Sequence, residues 1–210
     1  MSYTLYGHPG SGSCIIELTL NEIGVDYQVN PVSLNDDSQR GAGYAAVNPQ
    51  RKLPTLVTDI GETLTESAAI LLTLEERHAA ADLLPPVGSE ERARALRWLL
   101  FVATEVYPIV EINDYPDRFT ATDGVADATR ELARKIWRKR LLVIENSIND
   151  GPYVLGTTFS MTDIYIAVVT RWAQQEEWRP YNVPKIENLT ATVASREKLA
   201  PIWAQHFGAN

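Results

Sequence analysis

The run Leu83-Leu84-Pro85-Pro86-Val87-Gly88 splits the chain into two stretches of different periodicity. Two consecutive prolines fix their own φ angles and remove two backbone donors, so no helix or central strand continues through them. The glycine after them completes a stiff connector of the kind that joins domains. The expected organisation is a first domain over 1–82, a linker over 83–88 and a second domain over 89–210.

Upstream of the connector, strand and helix patterns alternate. Ser2 to Tyr6 reads as a short strand, Gly7 to Ser13 as a loop, and Cys14 to Ile23 as an apolar helix that Gly24 stops at its C-terminus. Val25 to Val29 carries a second strand pattern, and the polar stretch Asp36 to Tyr44 fits a short irregular helix. Thr55 to Thr58, the turn Asp59-Ile60-Gly61-Glu62 and Thr63-Leu64 read as a hairpin, followed by a helix from Glu66 to about His78. The order β-α-β-(α)-β-β-α predicts an α/β domain.

Downstream the strand signal vanishes. Leu96, Leu99, Leu100, Ala103, Tyr107 and Val110 recur at helical spacing, as do Ala133, Trp137, Leu141, Ile144 and Ile148, so the second domain is expected to be all-α. Pro108 falls inside the first of these helices and should kink it. In Phe159-Ser160-Met161-Thr162-Asp163-Ile164, Ser160 and Asp163 have the spacing of a capping box, with Phe159 and Ile164 placed to close a hydrophobic staple. Asp163 is read as a capping carboxylate rather than a catalytic acid.

Charge and cysteine content narrow the function classes. A net charge of -8 argues against nucleic acid as a partner, because phosphates call for a basic face. One cysteine, Cys14, excludes an intrachain disulfide framework, and its place at the start of an apolar helix marks it as a buried packing thiol. The first residues, Met-Ser-Tyr-Thr-Leu, lack a basic, apolar leader pattern, and no apolar run reaches the roughly 18 residues of a spanning helix. A soluble protein of the reducing cytoplasm, without membrane association, is expected.

Pro54 is the residue that points to a site. It stands between Lys52-Leu53 and the apolar run Thr55-Leu56-Val57, where a strand tolerates proline only at its start or edge. Soon after, Thr65-Glu66-Ser67 opens a helix with a carboxylate and a hydroxyl. Taken alone, Thr65 as cap with Glu66 facing the helix dipole would be an ordinary helix start. The ordered pair reads as a small-molecule site.

The whole chain resembles the soluble glutathione transferases. Asn48-Pro49-Gln50-Arg51-Lys52-Leu53-Pro54-Thr55-Leu56 is similar to the family's Asn-Pro-x-Gly-Lys-Val-Pro-x-Leu stretch, with Arg51 in place of glycine, and Glu66-Ser67-x-Ala69-Ile70 is similar to its glutamate-serine helix start. The resemblance implies a thioredoxin-like first domain, an all-helical second domain and reduced glutathione as co-substrate, with no metal. It gives Pro54 a cis peptide that turns the Leu53 backbone toward the cysteinyl backbone of glutathione. Glu66 and Ser67 would hold the γ-glutamyl ammonium and carboxylate at a helix N-terminus, and Lys52 the glycyl carboxylate.

The family lowers the thiol pKa with tyrosine, serine or cysteine, because the thiolate is the nucleophile. The loop His8-Pro9-Gly10-Ser11-Gly12-Ser13-Cys14 is similar to the bacterial beta-class Pro-Gly-Ser-Cys-Ser, yet Gly12 falls where that class has its cysteine. Ser11, Ser13 and Tyr6 stay open as the activating group. By the same resemblance Tyr107 and Tyr115, with Trp172, are candidates for the wall of a pocket for a small hydrophobic electrophile. Thr104 and Glu105 are candidates for a homodimer interface. Leu100 and Tyr107 replace the asparagine and histidine usual in that class. Glutathione conjugation is the leading expectation, with thiol-disulfide or peroxide reduction, or a non-catalytic interaction protein of the same fold, as alternatives.

Overall fold

The structure, a computed structural model, describes residues 2–149, 151–172 and 177–208. The chain divides into two units, one formed by 1–83 together with 194–210 and the other by 84–193. The end of the chain, read above with the helical domain, therefore belongs to the first unit.

The first unit contains β1 (Tyr3–Gly7), α1 (Ser13–Ile23), β2 (Tyr27–Pro31), α2 (Ala42–Val47), β3 (Thr55–Val57), β4 (Thr63–Leu64) and α3 (Ser67–Arg77). The sheet order is β2-β1-β3-β4, with β2 parallel to β1, β3 antiparallel to β1 and β4 antiparallel to β3. This is the expected thioredoxin-like arrangement. In β1 the alternation is plain, with Tyr3, Leu5 and Gly7 buried and Thr4 and Tyr6 half-buried. From Ser13 to Leu20 α1 is buried all round, Cys14 included. Gly24 ends it at φ 83°, a left-handed cap that costs glycine little, and its N–H donates to the Leu20 carbonyl at 2.9 Å.

β2 begins at Tyr27 rather than at Val25. Pairing decided this: the ladder opens at Tyr3↔Tyr27, and Asp26 is used as the acceptor of the Tyr3 N–H at 3.1 Å. The polar stretch after β2 forms one 3-10 turn at Ser38–Arg40 before α2.

The helical unit carries α4 (Glu90–Phe101), α5 (Tyr107–Asp114), α6 (Ala126–Glu145), α7 (Met161–Val169), α8 (Arg179–Asn182) and α9 (Pro184–Ala194), which ends at the unit boundary. Between α4 and α5, Val102–Val106 widens into a π-turn, and Pro108 sits in the first turn of α5. The widened turn accommodates the missing N–H and the ring that would otherwise strike the carbonyl four residues back. Ala133, Trp137, Leu141, Ile144 and Ile148 are all buried as expected. Leu100 faces out at 49% exposure, and Ala95, Trp98, Leu99, Val102 and Val106 fill the core instead.

Asp163 is fully buried and is used structurally. Its carboxylate accepts from the Ser160 N–H at 2.8 Å, the Ser160 hydroxyl at 3.0 Å and the Val154 N–H at 2.8 Å, tying the start of α7 to the preceding loop. Burial nevertheless pushes its pKa up to about 6. Phe159 packs edge-on against Tyr153 at 5.5 Å. Among the described residues no helix is long and apolar enough to cross a membrane.

The segment after 194 contains α10 (Ala200–Phe207), which packs on α1. Arg196 pairs with Glu22 at 2.8 Å, Lys198 Nζ donates to the Glu22 carbonyl at 2.7 Å, and the Asn21 amide donates to the Lys198 carbonyl.

Candidate active site

Strand register brings three separate segments to one end of the sheet. The pairs Leu5↔Leu56 and Tyr6↔Thr55, continued, set Gly7 level with Pro54; Leu56↔Leu64, continued, sets Glu66 level with Pro54. The β1–α1 loop, the start of β3 and the start of α3 thus converge.

The approach to β3 is held from beneath. Asn48, buried at the end of α2, donates to the Lys52 carbonyl at 2.8 Å and to Thr55 Oγ1 at 3.0 Å, and its own carbonyl accepts from the Gln50 N–H at 2.9 Å. Tyr44 donates to the same Lys52 carbonyl at 2.8 Å and lies 2.8 Å from Thr55 Oγ1. Burial raises the Tyr44 pKa, which keeps the phenol a donor. Two donors fix the Lys52 carbonyl inward, and in a planar trans peptide the N–H points opposite to the C=O. The Leu53 N–H is therefore directed away from Tyr44 and Asn48. Neither the N–H nor the C=O of Leu53 finds a partner among the described residues. The next bond, Leu53–Pro54, is cis, as expected. Arg51 lies at φ 56°, the left-handed region that explains why glycine suits this place.

Glu66 precedes α3 with φ 63° and ψ 107°, a conformation that non-glycine residues rarely adopt, and its own side chain does not cap the helix. Its carboxylate is exposed and accepts from Gln50 Nε2 at 3.0 Å, while Ser67 is 6% exposed. Thr65 does not cap. Strain of this kind, of order 1–3 kcal/mol, persists where the surroundings impose it and collects at ligand sites. The first amides of α3 point into the same region as Glu66.

In the β1–α1 loop both serines converge on one carbonyl. Ser11 Oγ lies 2.8 Å from the His8 carbonyl and 2.9 Å from Ser13 Oγ; Ser13 Oγ lies 3.2 Å from the same carbonyl and accepts from the His8 N–H at 3.1 Å. Ser11 is half-exposed, whereas Ser13 is 1% exposed and seated on Gly7. A Cβ at Gly7 would meet Ser13 Oγ at 2.6 Å, so that position requires glycine. Tyr6 leans on Tyr44 at 5.9 Å and lines, with Pro31, Val32, Ser33 and Val47, a cavity of about 580 Å³.

In the helical unit Tyr107 meets Trp172 at 4.9 Å and Tyr165 at 6.4 Å. Tyr165 was missed in the sequence because it lies within a uniformly apolar helix. Tyr115 is 39% exposed at the end of α5, with the Arg118 guanidinium 3.8 Å from its ring centre. The structure gives it no ring contact with Tyr107. Thr104 and Glu105 lie exposed on the π-turn, Thr104 bonded to the Leu100 carbonyl at 2.9 Å and Glu105 paired with Arg140 at 2.8 Å. Tyr44 and Asn48 are scaffold residues whose roles the sequence does not reveal; its one signal is the Asn48-Pro49 pair at the head of the proline stretch. Among the described residues no three His, Cys, Asp or Glu side chains group as a metal would require.

Comparison with known proteins gives consistent results. The family model described as Glutathione S-transferase, N-terminal domain, matches residues 15–77. An uncharacterized GST-like protein, YncG, from Escherichia coli K12 is 33% identical over 94% of this chain and 95% of its own length. Glutathione S-transferase GstA from Escherichia coli O157:H7 is 31% identical over 80% of this chain and 81% of its own. A sphingomonad glutathione S-transferase, solved in complex with glutathione, superposes with a TM-score of 0.78 at 28% identity, covering 95% of this chain and 96% of the other.

Proposed function

The chain belongs to the glutathione S-transferase family, and we propose that it binds reduced glutathione at the convergent end of its sheet and conjugates the thiolate to a small hydrophobic electrophile. The observation that carries this reading is the convergence itself: an outward Leu53 backbone, an exposed carboxylate beside a helix N-terminus, and a pair of hydroxyls at one edge. A γ-glutamyl peptide has matching groups in the same order. Its extended backbone pairs with Leu53. Its ammonium meets Glu66, its α-carboxylate meets the α3 amides and Ser67, and its glycyl carboxylate meets Lys52.

Exposure and proton bookkeeping separate the candidate activators. Two hydroxyl protons serve one carbonyl in the serine loop, so Ser11 can turn its proton to the sulfur while Ser13 donates to the His8 carbonyl in its place. Ser11 is therefore the donor to the thiolate and Ser13 its support; the thiol proton leaves to solvent and the serine stabilises the anion that remains. Tyr6, held against Tyr44, contributes to the cavity wall beside α2. In the helical unit Tyr107 and Trp172 offer an aromatic face to the electrophile, with buried Tyr165 packed behind Tyr107, and Tyr115 stands apart from it. Thr104 and Glu105 lie on a face with exposed Leu100 that serves a homodimer of a cytoplasmic enzyme.

The test is glutathione-dependent conjugation of a general aryl halide by the wild type and by Ser11→Ala, Ser13→Ala and Tyr6→Phe. Ser11→Ala should lose about 100-fold in kcat, in line with removal of one preorganised donor to a developing anion. Ser13→Ala should lose less and Tyr6→Phe little. Full activity in Ser11→Ala, or no activity in the wild type alongside disulfide reduction, would contradict the reading.

A further inference from the structure

The loop that carries Ser11 is held from the far end of the chain. His206, on α10, has a side chain only 6% exposed, and its two ring nitrogens have distinct partners. Nδ1 lies 3.1 Å from the Gly10 N–H, and Nε2 lies 2.9 Å from Glu17 Oε2 on α1. An amide N–H only donates, so Nδ1 carries no proton; the ring proton sits on Nε2 and is donated to the carboxylate. Glu17 is buried, and its other oxygen faces the Tyr27 hydroxyl of β2 at 3.4 Å. Burial and the Glu17 charge push the Tyr27 pKa up to about 12, which keeps that hydroxyl a donor. The chain of contacts runs Tyr27, Glu17, His206, Gly10. Each link is oriented by the next.

Gly10 is the residue before Ser11 and adopts φ 72°, so its peptide is set by the loop rather than by an adjoining helix or strand. The Ser11 N–H donates to the His8 carbonyl at 3.1 Å, and that carbonyl is the one both serine hydroxyls share. Holding the Gly10 amide therefore fixes the turn in which the hydroxyls exchange partners. Nothing in the binding of glutathione requires a histidine on the last helix.

We propose that His206 is a positioning residue for thiol activation: through Nδ1 it anchors the Gly10 amide, with Glu17 and Tyr27 setting its tautomer, and so aims the Ser11 hydroxyl. The inference rests on the reading above, that the 8–13 loop activates the thiol. Two substitutions separate the bonds. In His206→Gln the amide nitrogen keeps a donor near Glu17 but gives up the Nδ1 acceptor of the Gly10 N–H. In His206→Asn the amide oxygen keeps that acceptor near the Nδ1 position and gives up the Glu17 bond.

The full-length variants are compared by kcat and KM for glutathione, by the ultraviolet thiolate absorbance of the bound thiol against pH, and by thermal unfolding. His206→Gln should lose about tenfold in kcat with glutathione KM within about twofold, and the bound thiol should titrate about one unit higher. His206→Asn should recover most of both losses. Equal behaviour of the two variants, whether near wild type or equally impaired, would overturn the proposal, because a helix-docking role does not distinguish them. Ser11→Ala, measured alongside, keeps the failures apart: full activity there sinks the loop reading itself, whereas its loss with equal His206 variants sinks only the positioning role.

Discussion

Asn48→Ala tests the support of the Leu53 backbone. The change removes three hydrogen bonds: to the Lys52 carbonyl at 2.8 Å, to Thr55 Oγ1 at 3.0 Å and from the Gln50 N–H at 2.9 Å. Gln50 is exposed and its N–H turns to water, so that loss is minor. The Lys52 carbonyl and the Thr55 hydroxyl each retain Tyr44, so neither becomes an orphan. Two bonds at about 1 kcal/mol each, with a small added cavity term, give a loss of about 2–4 kcal/mol. With one donor instead of two, the Lys52–Leu53 peptide is held less firmly, and ordering it again on binding should weaken glutathione affinity about tenfold. Urea denaturation measures the first quantity and isothermal titration with glutathione the second. Tyr44→Phe should act in the same direction, and the double variant should lose more affinity than either. A stable Asn48→Ala protein with unchanged glutathione affinity would refute the anchoring argument.

Arg51→Gly should stabilise the protein: a left-handed residue with a Cβ costs about 1–2 kcal/mol, offset by about 0.4–1 kcal/mol of extra glycine entropy in the unfolded chain. A rise in Tm of a few degrees checks this. For Asp163, the folded pKa of about 6 lies above the ordinary 3.8. Between those values the folded state holds more protons than the unfolded, so stability falls as pH rises through about 4 to 6, by of order 3 kcal/mol, and this contribution is flat above. Asp163→Asn should abolish that slope and lower stability near neutrality by about 1–3 kcal/mol, since an amide cannot accept on both sides; denaturation at several pH values measures both. Gly7→Ala should push Ser13 aside, because the added Cβ would come within 2.6 Å of Ser13 Oγ, and reduce kcat while leaving the α7 capping network intact, which kinetics and thermal melts distinguish.

Much of the fold was legible because its punctuation is local. Gly24 at the end of α1 and the Ser160–Asp163 spacing act within a few residues, and each reads the same in the structure. β2 was misplaced by two residues because an exposed edge strand takes its register from its neighbour, information that Val25 to Val29 does not hold. Leu100 was read as core because a helical stripe shifts phase at the π-turn that follows α4. At the site, Pro54 and Glu66-Ser67 were visible as motifs, whereas Asn48 and Tyr44 act through contacts that only the folded loop creates. His206 lies 196 residues from Gly10, and no periodicity connects them. The two serines were inseparable in sequence and differ in exposure once Ser13 is seated on Gly7.

The central claim is that the β1–α1 loop lowers the thiol pKa of bound glutathione through Ser11. Thiolate absorbance of the glutathione complex, followed against pH in the wild type and in Ser11→Ala, tests it most directly. The account predicts that the bound thiol titrates about two units below the ordinary thiol range of ~8.5 in the wild type and returns toward that range in Ser11→Ala with glutathione still bound. A bound thiol that titrates identically in both proteins would contradict it.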